Sequence, residues 1–134
     1  MQPSSLRLRK RSNVLELDYE DGKSFSLPAE FLRVHSPSAE VRGHGPGQEV
    51  LQVGKRFVKL TQLEPVGHYG IKLFFDDGHD TGIYTWEYLR ELGEHQDVMW
   101  QDYLKRLEEA GAKRDPVDPS VQVVNIMPLK PKEG

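Results

Sequence analysis

Apolar and charged residues alternate in the N-terminal stretch SLRLRKRSNVLELDYEDGKSFSLP. Alternation with a period of two is typical of strands that bury one face. The pattern therefore predicts a meander of short antiparallel strands. The residues on its buried face are Leu6, Leu8, Leu15 and Leu17.

Two turns set the predicted register of this meander. A two-residue turn at Ser12-Asn13 places Arg9 opposite Glu16, Leu8 opposite Leu17, and Arg7 opposite Asp18. A second turn, with Gly22 in the left-handed conformation, places Leu17 opposite Phe25. Both registers keep the same face buried, so the two turns support each other.

The next stretch predicts a short helix, a loop and two further strands. Pro28 suits the first turn of a helix whose apolar side carries Phe31 and Leu32, and Pro37 should end that helix. The loop SPSAEVRGHGPGQ is rich in glycine and proline and is long enough to be functional. Residues 50–53 and 57–60 have the composition of strands joined by a turn at 54–55.

A central strand and a polar bend follow. Alternation in this strand places Tyr69, Ile71, Leu73 and Phe75 on one face. The bend, DDGHDTG, carries His79. Aspartate and glycine are the usual residues of tight turns, so the bend needs no further explanation than a turn.

Two helices are predicted after the bend. The first should begin at Thr85 as its N-cap, stop at Gly93, and leave Tyr84 half exposed before it. Its inward side chains are expected to be Trp86, Leu89 and Leu92. The second lies in HQDVMWQDYLKRLEEAGAKRD and is broken by Gly111.

These elements predict an α+β fold, because strands dominate the first part and helices are inserted or appended. We expect a small, mainly antiparallel β-sheet domain with a short inserted helix and one or two C-terminal helices. The domain should span residues 1–113, and residues 114–134 should form a flexible tail. Within that tail, 121–127 is either an edge strand, a partner-binding segment or disordered, and its composition favours disorder.

Composition limits the function more than it defines it. The 134 residues carry a net charge of −3 and no cysteine, which excludes disulfides and thiolate chemistry within the chain. The cluster Arg7, Arg9, Lys10 and Arg11 is faced by Glu16 and Asp18, so we expect neither nucleic acid nor a membrane as partner. No signal peptide or long apolar run is apparent, which predicts a cytoplasmic location.

Candidate chemistry is sparse. The five histidines form no HxH or HExxH pattern. His44 and His79 lie in loops, where Asp76, Asp77 or Asp80 would complete a metal site, although a plain turn explains the same residues better. A nucleophilic serine would be Ser36 or Ser38 with His35 or His44, but no nucleophile elbow surrounds them. We therefore predict no enzymatic activity.

Two segments carry a family resemblance. With LRVHSPSAEVRGHGPG and EPVGHYGIKLFFDDGHDTGIYTWEYLRELG, the chain resembles the gamma-butyrobetaine hydroxylase-like N-terminal domain family over roughly residues 5–95. The resemblance implies a compact, mainly antiparallel domain. In the eukaryotic hydroxylases of this family the domain precedes an oxygenase domain, which this sequence lacks.

The resemblance also implies a site. The family's structural zinc is held by three cysteines and a histidine; the histidine matches His79, and the cysteines fall on Ser36, Ser38 and Val41. No thiolate is present there, so the resemblance predicts that zinc binding is lost. Related short bacterial proteins, and fusions to P-loop ATPases that carry iron–sulfur clusters, suggest an accessory role near iron–sulfur or metal handling.

We therefore predict a non-enzymatic binding or adaptor domain with a protein partner. Its working surface would lie where the loop after residue 35 meets the DDGHDTG bend, with Arg42 and backbone amides as donors and Tyr84 as an amphipathic contact. The predicted binding residues are Arg33, Ser36, Ser38, Arg42, His44, Asp80 and Tyr84. The alternative is a zinc or iron domain using His79, His44 and nearby carboxylates; no cofactor is fixed by the residues themselves.

Overall fold

The computed structural model describes residues 1–117. The strands are β1 Ser5–Arg9, β2 Val14–Asp18, β3 Ser24–Pro28, β4 Leu60–Val66, β5 Gly70–Phe75 and β6 Ile83–Thr85. The helices are α1 Ala29–Val34, α2 Ala39–Arg42, α3 Trp86–Glu94 and α4 Gln96–Ala110. The predicted α+β class is confirmed, with two antiparallel sheets, β1-β2-β3 and β4-β5-β6, in place of one. The segment 121–127 lies outside the described residues.

The first hairpin pairs two residues away from the predicted register. Arg7 lies opposite Glu16 and Leu8 opposite Leu15, because the turn holds four residues, 10–13, and closes through the amide of Asn13, which donates to the carbonyl of Arg9 at 2.7 Å. A shift of two keeps every side chain on its predicted face. The second hairpin is as predicted, with Leu17 opposite Phe25.

Asn13 joins the first sheet to the second. It has a φ of 62°, a left-handed conformation that asparagine tolerates better than most residues. Its side-chain amide donates to the carbonyl of Val58 at 2.8 Å, and its side-chain oxygen accepts from the amide of Leu60 at 3.0 Å. The amide of Ala29 donates to its main-chain carbonyl at 3.0 Å. One turn residue thus fixes the starts of β4 and α1.

The region between α1 and β5 differs most from prediction. The loop after residue 35 contains α2, residues 50–53 form no strand, and β4 begins at Leu60 instead of residue 57. The predicted 54–55 hairpin does not form because the amide of Gly54 donates to the carbonyl of Lys113 at 3.0 Å, and that of Arg56 to the carbonyl of Arg114 at 3.0 Å. A distant chain segment supplies the hydrogen bonds that a hairpin ladder would supply.

The strand and helix around His79 follow the prediction in part. Ile71, Leu73 and Phe75 are buried on one face of β5, but β5 begins at Gly70, so Tyr69 lies in the turn before it and is exposed. The side chain of Thr85 caps α3 by accepting from the amide of Tyr88 at 3.1 Å. The prediction that Gly93 stops this helix is wrong, because the helix continues to Glu94. Gly93 instead leaves room for the ring of Phe25, with which a Cβ would collide. The expectation for Tyr84 is wrong, because its side chain is fully buried.

The core lies between the two sheets and the helices. Its fully buried members include Leu15, Leu17, Leu27, Leu32, Leu60, Leu73 and Leu89. A smaller cluster of Val34, Tyr103 and Leu107 packs α4 against α1.

Contacts extend past the expected boundary at residue 113, since the guanidinium of Arg114 pairs with the buried carboxylate of Glu30 at 2.7 and 2.9 Å. Among residues 1–117 no helix is long and apolar enough to cross a membrane.

Replacing Asn13 should test its role as the link between the sheets. We expect Asn13→Ala to lower the free energy of unfolding by about 2–4 kcal/mol, because it removes two part-buried hydrogen bonds and because alanine tolerates the left-handed region less well than asparagine. Asn13→Gly loses the same hydrogen bonds without the backbone strain and should cost about 1 kcal/mol less. Urea denaturation measures both; a loss below about 0.5 kcal/mol in Asn13→Ala would show that the link is not important.

Candidate functional site

The two polar loops singled out from the sequence meet in the structure. The hydroxyl of Ser36 lies 2.8 Å from Nε2 of His79, in a buried contact between residues 43 positions apart. Beside it, the hydroxyls of Ser38 and Thr81 lie 2.8 Å apart. We call this contact between residues 35–43 and 76–82 the junction.

A closed set of hydrogen bonds holds the junction. Nδ1 of His79 lies 3.1 Å from a carboxylate oxygen of Glu40, and the hydroxyl of Thr81 donates to the same oxygen at 3.3 Å. The amide of Ser38 donates to the hydroxyl oxygen of Ser36 at 3.2 Å. With Glu40 accepting from Nδ1–H, Nε2 is left as the acceptor for the Ser36 hydroxyl, so each polar group in the set has a partner.

Burial decides the charge of His79. Its side chain is almost completely enclosed, and this desolvation, followed by the nearby positive charge of Arg33, lowers the pKa of His79 below its ordinary value. Glu40 and Asp77 act in the opposite direction but do not reverse the shift. The imidazole is therefore neutral at pH 7, as the hydrogen-bond pattern requires.

A second polar network anchors the bend to α1. Nε of Arg33 donates to Asp77 at 2.9 Å, and another guanidinium nitrogen donates to the side chain of Gln52 at 2.9 Å. The ammonium group of Lys55 lies 2.6 Å from the same Asp77 oxygen. Burial alone would raise the pKa of Asp77, but hydrogen bonds from Lys55, the amide of His79 and Arg33 lower it to about 2.

The structure divides the predicted binding residues into two groups. Arg42, His44 and Asp80 are exposed. The buried group is Arg33, Ser36, Ser38 and Tyr84. Tyr84 cannot serve as the predicted amphipathic contact, because its hydroxyl donates to the carbonyl of Leu32 at 2.5 Å inside the protein. Ser36 and Ser38 lie inside the junction, and Arg33 contacts it through Asp77. Arg42 and Asp80 are exposed on its two loops, and His44 follows directly after the first of them.

Sequence reasoning missed the partners that complete the junction. Ser36 was considered with His35 or His44, whereas the structure pairs it with His79. Glu40 and Thr81 were not identified at all. The available signal was weak: Ser38 followed by Glu40 suggests a helix N-cap, and the structure confirms that the Ser38 hydroxyl accepts from the amide of Glu40 at 3.2 Å.

Ser36, His79 and Glu40 have the order of a nucleophile, a base and an acid. The distances of 2.8 and 3.1 Å are within reach of such a triad. However, Ser36 is only 1% exposed, and Gly82 packs so closely on its hydroxyl that a Cβ would collide with it. In this arrangement the three residues hold the two loops together, and the Ser36 hydroxyl is enclosed by the protein.

The residues that match the family's zinc ligands do not fit zinc. Ser36 and Ser38 offer neutral hydroxyls and Val41 offers no donor atom, while zinc in a structural site needs thiolates or free imidazoles. Both ring nitrogens of His79 already have partners. In the described part of the chain, no group of three or more His, Asp or Glu side chains is placed to hold a metal ion.

A groove opens beside the junction, between α4 and residues 49–52. Its cavity measures about 380 Å³. Junction residues Ser36, Val41 and Arg42 form part of its lining, and Tyr88 lies next to them. The guanidinium of Arg42 rests 4.7 Å above the ring of Tyr88, an arrangement that holds the cation in place at the edge of the groove.

Comparisons with known proteins identify a family for the chain and no activity. Residues 6–90 match the family described as gamma-butyrobetaine hydroxylase-like, N-terminal. An NMR solution structure of a protein is similar at 52% identity, covering 92% of this chain and 98% of that one, with a TM-score of 0.76. Another NMR solution structure is 44% identical, covers 92% and 93%, and has a TM-score of 0.73.

A crystal structure is also similar to the chain. It is of a protein of unknown function from Acidithiobacillus ferrooxidans that belongs to the DUF971 family, with 42% identity, coverage of 69% of this chain and 92% of that one, and a TM-score of 0.58. The search of curated proteins found no match.

A methyl group placed at Gly82 should break the junction. In Gly82→Ala the new Cβ displaces the Ser36 hydroxyl from His79, and we expect a loss of about 2–3 kcal/mol in the free energy of unfolding. Gly45 lies in the loop after α2 with open space at its Cβ position, so Gly45→Ala is the matched control and should change stability by less than about 0.5 kcal/mol. Equal losses in the two variants would contradict the close packing at Gly82.

Acid titration should report the Asp77 network. The folded-state pKa of Asp77, about 2, is below its ordinary value of 3.8. This carboxylate therefore stabilises the fold above pH 3.8 and loses that contribution as the pH falls towards 2. After discounting for partial exposure, Asp77→Asn should cost on the order of 1–2 kcal/mol at pH 7 and about zero at pH 2.

Denaturant unfolding at a series of pH values measures this difference. Asp80→Asn, at an exposed position of the same bend, is the control and should follow the wild type throughout. A loss in Asp77→Asn that is as large at pH 2 as at pH 7 would contradict the role of the ionised carboxylate.

Proposed function

The chain belongs to the gamma-butyrobetaine hydroxylase-like N-terminal domain family, and from this premise we propose that it is a non-enzymatic binding domain that recognises a protein partner through the outer side of the junction. The observation that carries the proposal is the buried hydrogen bond between Ser36 and His79. It holds two exposed loops, distant in sequence, in one fixed arrangement.

A fixed arrangement favours binding. Loops that are already ordered lose less conformational entropy when a partner docks, so more of the contact energy appears as affinity. The exposed side chains of the junction carry charges of both signs and a hydroxyl: Glu40, Arg42, Asp80 and Thr81. Such a mixture is typical of the polar rim of protein interfaces, which gives specificity more than bulk affinity.

The burial of the reactive groups supports a non-enzymatic role. A catalytic serine or histidine must reach a substrate atom at hydrogen-bond distance. Ser36 and His79 are 1% and 6% exposed, and their polar atoms are used by each other, by Ser38 and by Glu40. The polar atoms of Ser36 and His79 therefore bond within the protein and not to a substrate at its surface.

A role beside iron–sulfur or metal-handling proteins is the narrower form of this proposal. Its support is the resemblance to related domains that occur with P-loop ATPases, and fold kinship alone does not transfer function. The alternative, a zinc or iron domain built on His79 and His44, lacks a supporting observation in residues 1–117, because no metal-binding cluster forms there. The binding role is therefore the function that we propose.

An affinity pull-down with matched charge variants tests the proposal. In Arg42→Ala/Asp80→Ala, one cation and one anion are removed from the junction face, and we expect recovery of the bound protein to fall by about ten-fold, or ~1.4 kcal/mol. The control, Arg11→Ala/Glu64→Ala, removes one exposed charge of each sign elsewhere and should recover as much as the wild type. The same recovery from both variants would remove the junction face as the binding surface.

A further inference from the structure

The groove beside the junction leaves aliphatic surface open to solvent. On one side α4 contributes Val98 and Met99, and on the other the chain contributes Val50 and Leu51. Val98 is 72% exposed and Val50 is 52% exposed. Facing aliphatic residues that remain exposed across a cavity are typical of a surface that is covered by another molecule.

The floor of the groove has few unused polar groups. The hydroxyl of Tyr103 donates to the carbonyl of Gln52 at 2.7 Å, and that of Tyr88 donates to the carbonyl of His35 at 2.6 Å. Nδ1 of His35 lies 2.9 Å from the carbonyl of Phe31. Because these groups are satisfied within the protein, the floor suits an apolar side chain better than a polar one.

Several main-chain groups of the wall formed by residues 49–52 already have partners within the protein. The amide of Val50 donates to the carbonyl of Val41 at 2.8 Å, its own carbonyl accepts from the side chain of Gln52 at 2.9 Å, and the carbonyl of Gln52 is taken by Tyr103. An added strand needs free main-chain groups on its neighbour. A helix satisfies its own main chain, so it needs only side-chain contacts.

Charge at the edges of the groove favours an acidic flank on that helix. On α4, Arg106 pairs with Asp102 at 3.1 Å. Among residues 1–117, Arg42 has no carboxylate within 4.0 Å, and it is held over Tyr88. Glu49 lies on the same wall and weakens the attraction for an acid, but Arg42 is the cation of the lining whose charge is not already paired within the described chain.

We propose that the groove binds an amphipathic helix of the partner protein. Two aliphatic side chains one turn apart enter the cavity between Val98 and Val50, and an acidic residue on the flank of the helix pairs with Arg42. Side chains three or four positions apart lie on one face of a helix, so they can enter together. The inference rests on the proposed function, because Arg42 belongs both to the junction face and to the groove.

Two model peptides test the inference on the full-length chain. Each is an alanine-based helix of about 16 residues with leucines at positions i and i+4, long enough to be partly helical alone. One carries glutamates on the flank of the leucines and the other carries lysines. NMR titration should shift the amide signals of Val98, Met99 and Leu51, with the glutamate peptide binding about five-fold tighter than the lysine peptide.

Three variants make the test specific. Arg42→Glu should reverse the preference between the two peptides, and Val98→Ser should weaken both by about five-fold because it removes apolar contact area. Phe57→Ser is the control, since Phe57 is 66% exposed but does not line the groove. It should leave both affinities unchanged.

Two results would overturn the inference. In the first, neither peptide shifts the amide signals of the groove. In the second, Arg42→Glu leaves the preference for the glutamate peptide unchanged. Groove signals that move with protein concentration and no peptide would instead assign the groove to a second copy of the chain. If the peptides fail while recovery in the pull-down still depends on Arg42 and Asp80, the groove inference is wrong and the junction function stands.

Discussion

The fold around the site depends on one requirement, that the buried polar groups of Ser36 and His79 satisfy each other. A hydroxyl or an imidazole enclosed without a partner would cost the free energy of its lost hydration. The hydrogen bond of 2.8 Å removes that cost, and it can form only if the loop after α1 and the bend after β5 lie together. Burial also keeps His79 neutral, so it remains an acceptor for the serine.

Side-chain ties compensate for the lack of regular structure between α2 and β4. Asn13 forms hydrogen bonds with main-chain groups of Val58 and Leu60, and Asp77 accepts hydrogen bonds from Arg33 and Lys55. Hydrogen bonds to charged groups in partly buried settings are stronger than those between neutral groups. A segment without a sheet partner can therefore be fixed well enough to form one wall of a groove.

Hydrogen bonds between side chains hold the junction together. Of the four positions that the resemblance matches to zinc ligands, Ser36, Ser38 and His79 lie together, and the contacts that join them are hydrogen bonds. Arg42 and Asp80, on the same two loops, are exposed.

The sequence by itself determined the elements whose signal is local. Alternation specified the buried faces of β1, β2 and β5, glycine specified the second hairpin turn, and Thr85 specified the start of α3, because each depends on neighbours along the chain. It also brought Ser36, Ser38, Arg42 and His79 to attention as residues of two polar loops. The first hairpin register escaped it, since a shift of two preserves the buried face and leaves the pattern unchanged.

Only the tertiary structure decided which of those residues are buried and which are free. The amide of Gly54 donates to the carbonyl of Lys113, the hydroxyl of Tyr84 donates to the carbonyl of Leu32, and Ser36 pairs with His79 instead of a nearer histidine. Each of these contacts joins positions far apart in the chain. Their free energies depend on burial and on a partner's geometry, and neither is encoded in the local order of residues.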